Sequence, residues 1–328
     1  MLSSLRKLAA SIRTTPRGGR KRRKFAPQID ALQARLVPTV FLSGGHLIIY
    51  GTPDNDTVSV VRDARDPNYY RITETRQGAT STTRVTNILV VSVTGDIAFT
   101  GYDGDDYFTN ATSERSFAHG GNGNDVLIGG SASDEFYGEA GNDSLNGGAG
   151  SDYLNGGDGS DSIYVGADSS SASNYVDGGS GNDLLVGDAG SDEMYGGDGN
   201  DMIEGGSNDL SLNRLHGGNG NDTLKGGGGT DFLYGDAGAD LLQGYGGNDF
   251  LRGGTGRDSL FGGAGDDTLD GGRGDGEADR LVGGPGADAF RYDPYEDDSW
   301  WPWSYTPPSN QDEPQDFLKS EGDVIRMY

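Results

Sequence analysis

From residue 120 to residue 291 an apolar residue recurs at a fixed place in the chain, and two positions before it stands an acid or its amide. The stretch divides without remainder into 18 consecutive segments, fifteen of nine residues and three enlarged to 13, 12 and 12 (165–177, 205–216 and 271–282). The next-to-last position of each is apolar: Leu127, Phe136, Leu145, Leu154, Ile163, Val176, Leu185, Met194, Ile203, Leu215, Leu224, Leu233, Leu242, Leu251, Leu260, Leu269, Leu281 and Phe290. Two places earlier, sixteen segments carry Asp and two carry Asn, at Asn174 and Asn213. A short fixed period of this kind predicts a solenoid. In the unit G-G-x-G-x-D-x-U-x, with U apolar, the glycines suit a tight turn with positive φ and close backbone approach. The last three residues then form a short strand whose middle side chain points inward and whose neighbours point out. Two units make one coil of a flattened two-sheet helix, so 18 units predict nine coils.

Two weaker echoes keep the same interval upstream: GTPDNDTVS (Gly51, Asp56, Val58) and GYDGDDYFT (Gly101, Asp106, Phe108). Around them lie β-branched or alternating runs, HLIIYG, NYYRIT and NILVVSV, which read as strands. Residues 39–119 are therefore expected to form an irregular β-rich start that caps the regular array of 120–291, the rival being a separate small β-sandwich. Residues 1–38 read as a basic leader or tail, and 292–328 as an acidic aromatic loop with a C-terminal cap.

Composition changes this picture by showing what the coils lack. With 33% hydrophobic residues and 59 glycines in 328, the chain is too poor in apolar side chains for ordinary layered cores. One large inward residue per unit is a thin interior against the entropy of ordering nine residues. Charge adds to the difficulty, because residues 1–100 are net +8 while residues 101–328 are net −34. Something that binds only the folded state has to offset this, and a hard cation held by carboxylates and turn carbonyls fits. With no Cys, disulfides and thiolate metal sites are excluded.

The repeat resembles the RTX family of calcium-binding nonapeptides, whose formula is the same G-G-x-G-x-D-x-U-x. The resemblance implies an all-β fold, a parallel β-roll (β-solenoid) of nonapeptide repeats with an irregular β-rich N-terminal cap. It also implies Ca2+ as cofactor, shared between units n and n+2 on the same edge. Carried over residue by residue, one edge would hold Asp125, Asp143, Asp161, Asp183, Asp201, Asp222, Asp240 and Asp258, and the other Asp134, Asp152, Asp192, Asp231, Asp249, Asp267 and Asp288. Units 165–177 and 205–216 lack the glycine turn and carry Asn, which predicts outward loops and weakened sites beside them. Pairs with both turns regular number seven on the first edge and four on the second, about eleven sites. Ala132, where Gly is usual, weakens one of them.

The ends carry further resemblances. DFLKSEGDVI, with Asp316, Phe317, Glu321, Gly322, Asp323 and Ile325, is similar to an ending that closes the roll in exported RTX proteins. The segment LQARLVP is similar to the L-E-x-R-L-x-P box of many exported bacterial proteins, with Gln33 in place of Glu. Both imply an extracellular or cell-surface location. No apolar run approaches the length of a membrane-spanning helix, and nine Lys/Arg in residues 1–25 are the sole warrant for nucleic acid, which is not expected as a partner. Three His, with no H-E-x-x-H and no G-x-S-x-G, point to a non-catalytic chain. The expected function is a calcium-binding structural or surface protein whose roll folds on binding calcium outside the cell. The alternatives are a carbohydrate-binding adhesin, using Trp300, Trp301 and Trp303 or the outward strand faces on cell-surface glycans, and an accessory module of an exported hydrolase.

Overall fold

In a computed structural model of the chain, residues 38–77, 82–89, 93–166, 172–206, 211–272, 279–291 and 317–318 are described, with backbone alone for 82–89 and 317–318. The basic residues 1–37, the Trp segment 300–303, residues 167–171 and 207–210 of the two Asn-bearing units and the insertion 273–278 lie outside the described residues.

The strand positions of successive units stack into two sheets, one of 13 strands and one of 14, in which every second unit is a neighbour. In the first sheet Phe136 pairs with Leu154 and Leu154 with Val176, and in the second Leu127 pairs with Leu145 and Leu145 with Ile163, all parallel and in register. An interval of 18 residues thus returns the chain to the same place one coil on, and the register continues across the enlarged units, where Leu154 pairs with Val176, Met194 with Leu215 and Leu260 with Leu281. Seventeen of the 18 inward side chains are buried, and Phe290 at the last coil is half-buried against the same core. Among the described residues no helix occurs.

The two sheets differ in depth. Strands of the first sheet run on into the following turn, as in Glu135–Ala140, while those of the second begin as three-residue pieces such as Val126–Ile128 and lengthen only from Thr223–Gly227 onward. The N-terminal cap continues the same two sheets. His46–Tyr50 and Ile97–Asp103 prolong the first sheet, and Asn55–Arg62 and Tyr107–Ala111 prolong the second. Antiparallel strands then close both edges: Thr39–Ser43 on the first, Tyr69–Gln77 and Thr82–Leu89 on the second. Thr39–Ser43 and Thr82–Leu89 are thus the terminal strands of the two sheets at this end. At the other end Phe317–Leu318 pairs antiparallel with Arg280–Val282.

The outer face of the first sheet carries a file of stacked rings that the nonapeptide formula does not specify. His119 stacks on Tyr137 at 4.8 Å, Tyr153 on Tyr175 at 5.1 Å, and His216 lies between Tyr195 and Tyr234 at 4.8 and 4.5 Å. Rings this close and nearly parallel meet face to face, so they tie coil to coil rather than presenting their faces to solvent.

Because each coil contributes so few inward side chains, each one matters. Leu233→Ala is expected to lower the stability of the calcium-loaded chain by about 2–5 kcal/mol, read as a lower urea midpoint at saturating calcium.

Candidate metal centres

The turn conformation comes first, since it aims the carboxylates. Gly121 and Gly123, the second and fourth residues of their unit, have φ of 122° and 130°, and the four described non-glycine residues with positive φ, Tyr102, Glu139, Asp236 and Tyr245, all stand at that second position. The first glycine is required for a different reason. A Cβ on Gly138 would overlap Asp143 Oδ2 and come 2.6 Å from Gly156 O, and the same holds around the ring of turns, for instance at Gly156, Gly235 and Gly253. These first glycines therefore mark pockets where a carboxylate oxygen and a carbonyl oxygen of the next coil converge.

The sixth-position acids line up in two rows of rungs. In each rung the backbone N–H of one Asp donates to Oδ1 of the Asp one coil on. The first row runs without a break through Asp125, Asp143, Asp161, Asp183, Asp201, Asp222, Asp240 and Asp258, with N···O distances of 2.6–2.9 Å. It also extends beyond the expected residues, back to Asp106 and Asp56 and forward to Asp279. In the sequence Asp56 and Asp106 keep the interval of the repeat, each two places before an apolar residue, Val58 and Phe108, both of which are buried. The second row runs Asp134, Asp152, Asn174, Asp192, Asn213, Asp231, Asp249, Asp267 and Asp288, so both Asn residues occupy rungs. All these Asp residues are buried except Asp288, which is half-buried.

Oδ1 is thus used by the backbone along both rows. Buried Oδ2 atoms without a hydrogen-bond partner occur at Asp106, Asp125, Asp143, Asp161, Asp183, Asp201, Asp222 and Asp240 in the first row, and at Asp249 and Asp267 in the second. A buried charged oxygen left without a partner is costly, and repetition at successive coils points to a missing partner of one kind. Water exclusion pushes the carboxyls up, opposed by the backbone N–H and reinforced by the neighbouring acids. Asp143, Asp183, Asp240 and Asp249 rise to about 7, and Asp125, Asp161 and Asp222 to about 6.

The oxygen set fits a hard cation. Among the described residues no group of three or more His, Cys, Asp or Glu side chains comes together, so any ion would take one carboxylate from each of two turns and complete its shell with backbone carbonyls. That donor set suits Ca2+ and is unsuited to zinc or copper.

Three places depart from the pattern. Asn174 Oδ1 accepts the Asp152 N–H at 2.8 Å, which turns its amide Nδ2 toward Asp192 Oδ1 at 2.8 Å. Asn213 Nδ2 lies where the Asp residues of other turns place Oδ2, 2.9 Å from a Cβ built on Gly205. At both rungs a donor stands where a cation needs an acceptor. Asp134 has both oxygens in use: Ser116 N–H and Oγ–H donate to Oδ1, and Gly130 N–H to Oδ2.

The histidines are not part of these rows. His119 Nδ1 is 2.7 Å from Glu139 and His216 Nδ1 is 3.3 Å from Asp236, both on the outer face. The partners of His216 could not be assigned from sequence, since they stand 18 to 21 residues away on neighbouring coils.

Compared with known families, residues 119–154, 137–172, 173–209, 212–242 and 243–277 match the model described as RTX calcium-binding nonapeptide repeat (4 copies). No curated protein matches the chain.

Proposed function

This chain is an RTX-type β-roll repeat protein, and from that premise we propose that it is a calcium-binding structural or surface protein whose roll forms when calcium becomes available outside the cell. The calcium-binding β-roll itself is common to the family; the location and the role are our own reading. One observation carries it, the recurrence of a buried Oδ2 without partner at coil after coil. Ligands in this reading are the fifteen acids from Asp125 to Asp288 named from the repeat, each with the carbonyls of its turn. When bound, calcium supplies a divalent charge and a flexible shell of six to eight oxygens. The chain's own residues supply the rest: the glycine turns bring the carbonyls close, and each Asp N–H to Oδ1 rung fixes the carboxylate so that Oδ2 faces the same pocket.

Regular pairs of turns give about eleven sites, seven in the first row and four in the second. The rung at Asp134 is the weakest of these, because its carboxylate is already satisfied within the protein. RTX proteins are typically secreted by bacteria, and extracellular calcium then provides the trigger that cytosolic levels do not. The absence of a long apolar helix among the described residues bears only on helical membrane crossing. The aromatic file on the outer face does not favour a carbohydrate platform, since its ring faces are covered by each other.

Equilibrium dialysis of the full chain against radioactive calcium tests the reading, and binding of fewer than about two or three ions per chain at saturation would overturn it. The two rows are also expected to differ. The first row offers an unbroken file of carboxylates, whereas Asn174 and Asn213 interrupt the second. In crystals grown at limiting calcium, density is expected near Asp143 and Asp222 before it appears near Asp152 and Asp192. The reverse order would show that the rows have been assigned the wrong strengths.

A further inference from the structure

The first row does not stop where the matched repeats begin. Residues 101–109 precede the family match, which starts at 119, and Tyr102 stands where a unit normally has its second glycine. The backbone nevertheless has the conformation of a repeat turn. Tyr102 has φ 87° and Gly104 has φ 110°, the same left-handed places that Gly121 and Gly123 take one coil on. The two turns are in register, Tyr102 opposite Gly121 and Asp103 opposite Asn122, and Gly104 N–H donates to Asn122 O at 2.8 Å.

The oxygens repeat as well. Asp106 is 1% exposed. Its Oδ1 accepts the Asp56 N–H at 2.7 Å, its own N–H donates to Asp125 Oδ1 at 2.7 Å, and its Oδ2 is buried without a partner. A Cβ on Gly101 would overlap both Asp106 Oδ2 and Gly120 O, which is the convergence found at Gly138 and its equivalents. One coil further toward the N-terminus the arrangement changes, because Thr52 N–H donates to Asp56 Oδ2 and Pro53 enters the turn.

We propose that the 101–106 turn forms a further divalent-cation site, for calcium or an ion of like size and hardness, held by the carboxylates of Asp106 and Asp125 with carbonyl oxygens of the two turns. The site lies at the junction of the N-terminal cap with the repeats, so the cap is fastened to the roll by an ion and not by backbone pairing alone. The inference rests on the calcium-binding reading of the repeats.

The test uses the full chain and its Asp106→Asn variant. Asn at this place is compatible with the fold, since Asn174 and Asn213 occupy equivalent rungs and accept the same N–H. Equilibrium dialysis against calcium is expected to show one ion fewer for D106N than for the unchanged chain, while Asp105→Asn, a change at the exposed neighbour, leaves the count intact. An equal count for D106N, with strand content retained by circular dichroism, overturns the proposal. Should D106N not fold, calcium-loaded crystals of the unchanged chain decide. Anomalous density against Asp106 Oδ2 supports the site, and its absence while density lies along Asp125 to Asp240 refutes it. If the unchanged chain binds no calcium, the reading of the repeats fails first, and the two failures are told apart.

Discussion

In excess chelator at pH 8 the chain is expected to show little β-strand, and millimolar calcium is expected to restore it in one cooperative transition. The reason is the weakness of every other support. Each unit buries one large side chain, and each rung adds one N–H to carboxylate hydrogen bond worth about 1.5–3 kcal/mol. Against this, ionised acids on neighbouring coils stand about 5 Å apart, where two like charges repel by roughly 3 kcal/mol at an effective dielectric near 20. The rung and the repulsion cancel, leaving a thin core to order many glycines. A cation held between two such carboxylates replaces their repulsion with attraction and binds only the folded state, so stability rises with its concentration. Cooperativity follows from the stacking, because each coil completes the sites of the next. Magnesium is expected to be a poor substitute, since it demands a tight octahedron and gives up its waters reluctantly. Far-ultraviolet circular dichroism during a calcium titration is the measurement; a full strand spectrum in chelator at pH 8 would show that the core and the ring file suffice.

How much of this was legible in the sequence depends on what repeats at nine residues. The inward position and the sixth-position acid do; the residues expected to point inward from Leu127 to Leu281 are buried, and the acids from Asp125 to Asp267 stand at the turns in two rows. The two sheets and the coil follow from that interval, because a strand with one inward residue has only one way to stack. What repeats at 18 was harder to see. The longer strands of the first sheet and the file of His119, Tyr137, Tyr153, Tyr175, Tyr195, His216 and Tyr234 involve alternate units, and their outward positions look unrelated when read nine at a time. The division of labour within each carboxylate was not legible at all. That Oδ1 accepts a backbone N–H one coil away depends on the register of two turns. Asp56 and Asp106 had the right interval, but the irregular strands around them concealed that they share a row with Asp125.

The ion-free chain is expected to gain structure as the solution is made acid, the opposite of what calcium-loaded protein should do. Burial holds Asp106 at about 8, Asp143, Asp183, Asp240 and Asp249 at about 7, and Asp125, Asp161 and Asp222 at about 6, in the folded chain without ions. In the unfolded chain these groups titrate near about 3.9. Between about pH 4 and pH 8 the folded state therefore binds more protons than the unfolded state, so its stability falls as pH rises through that window and is fully present only below it. A proton removes the repulsion along a row as an ion does, though it supplies no bridge between turns. In chelator, lowering the pH from 8 to 5 should thus raise the strand signal. With calcium present the same protons compete for Oδ2, and the calcium midpoint should rise on acidification, roughly tenfold per pH unit for one proton displaced per ion. The two arms together separate this account from simple relief of net charge. High salt at pH 8 in chelator would screen the exposed acids and reproduce the acid effect if net charge were the cause, whereas buried rows are screened little. Strand content that returns with sodium chloride as readily as with acid would place the instability on the surface and not in the rungs.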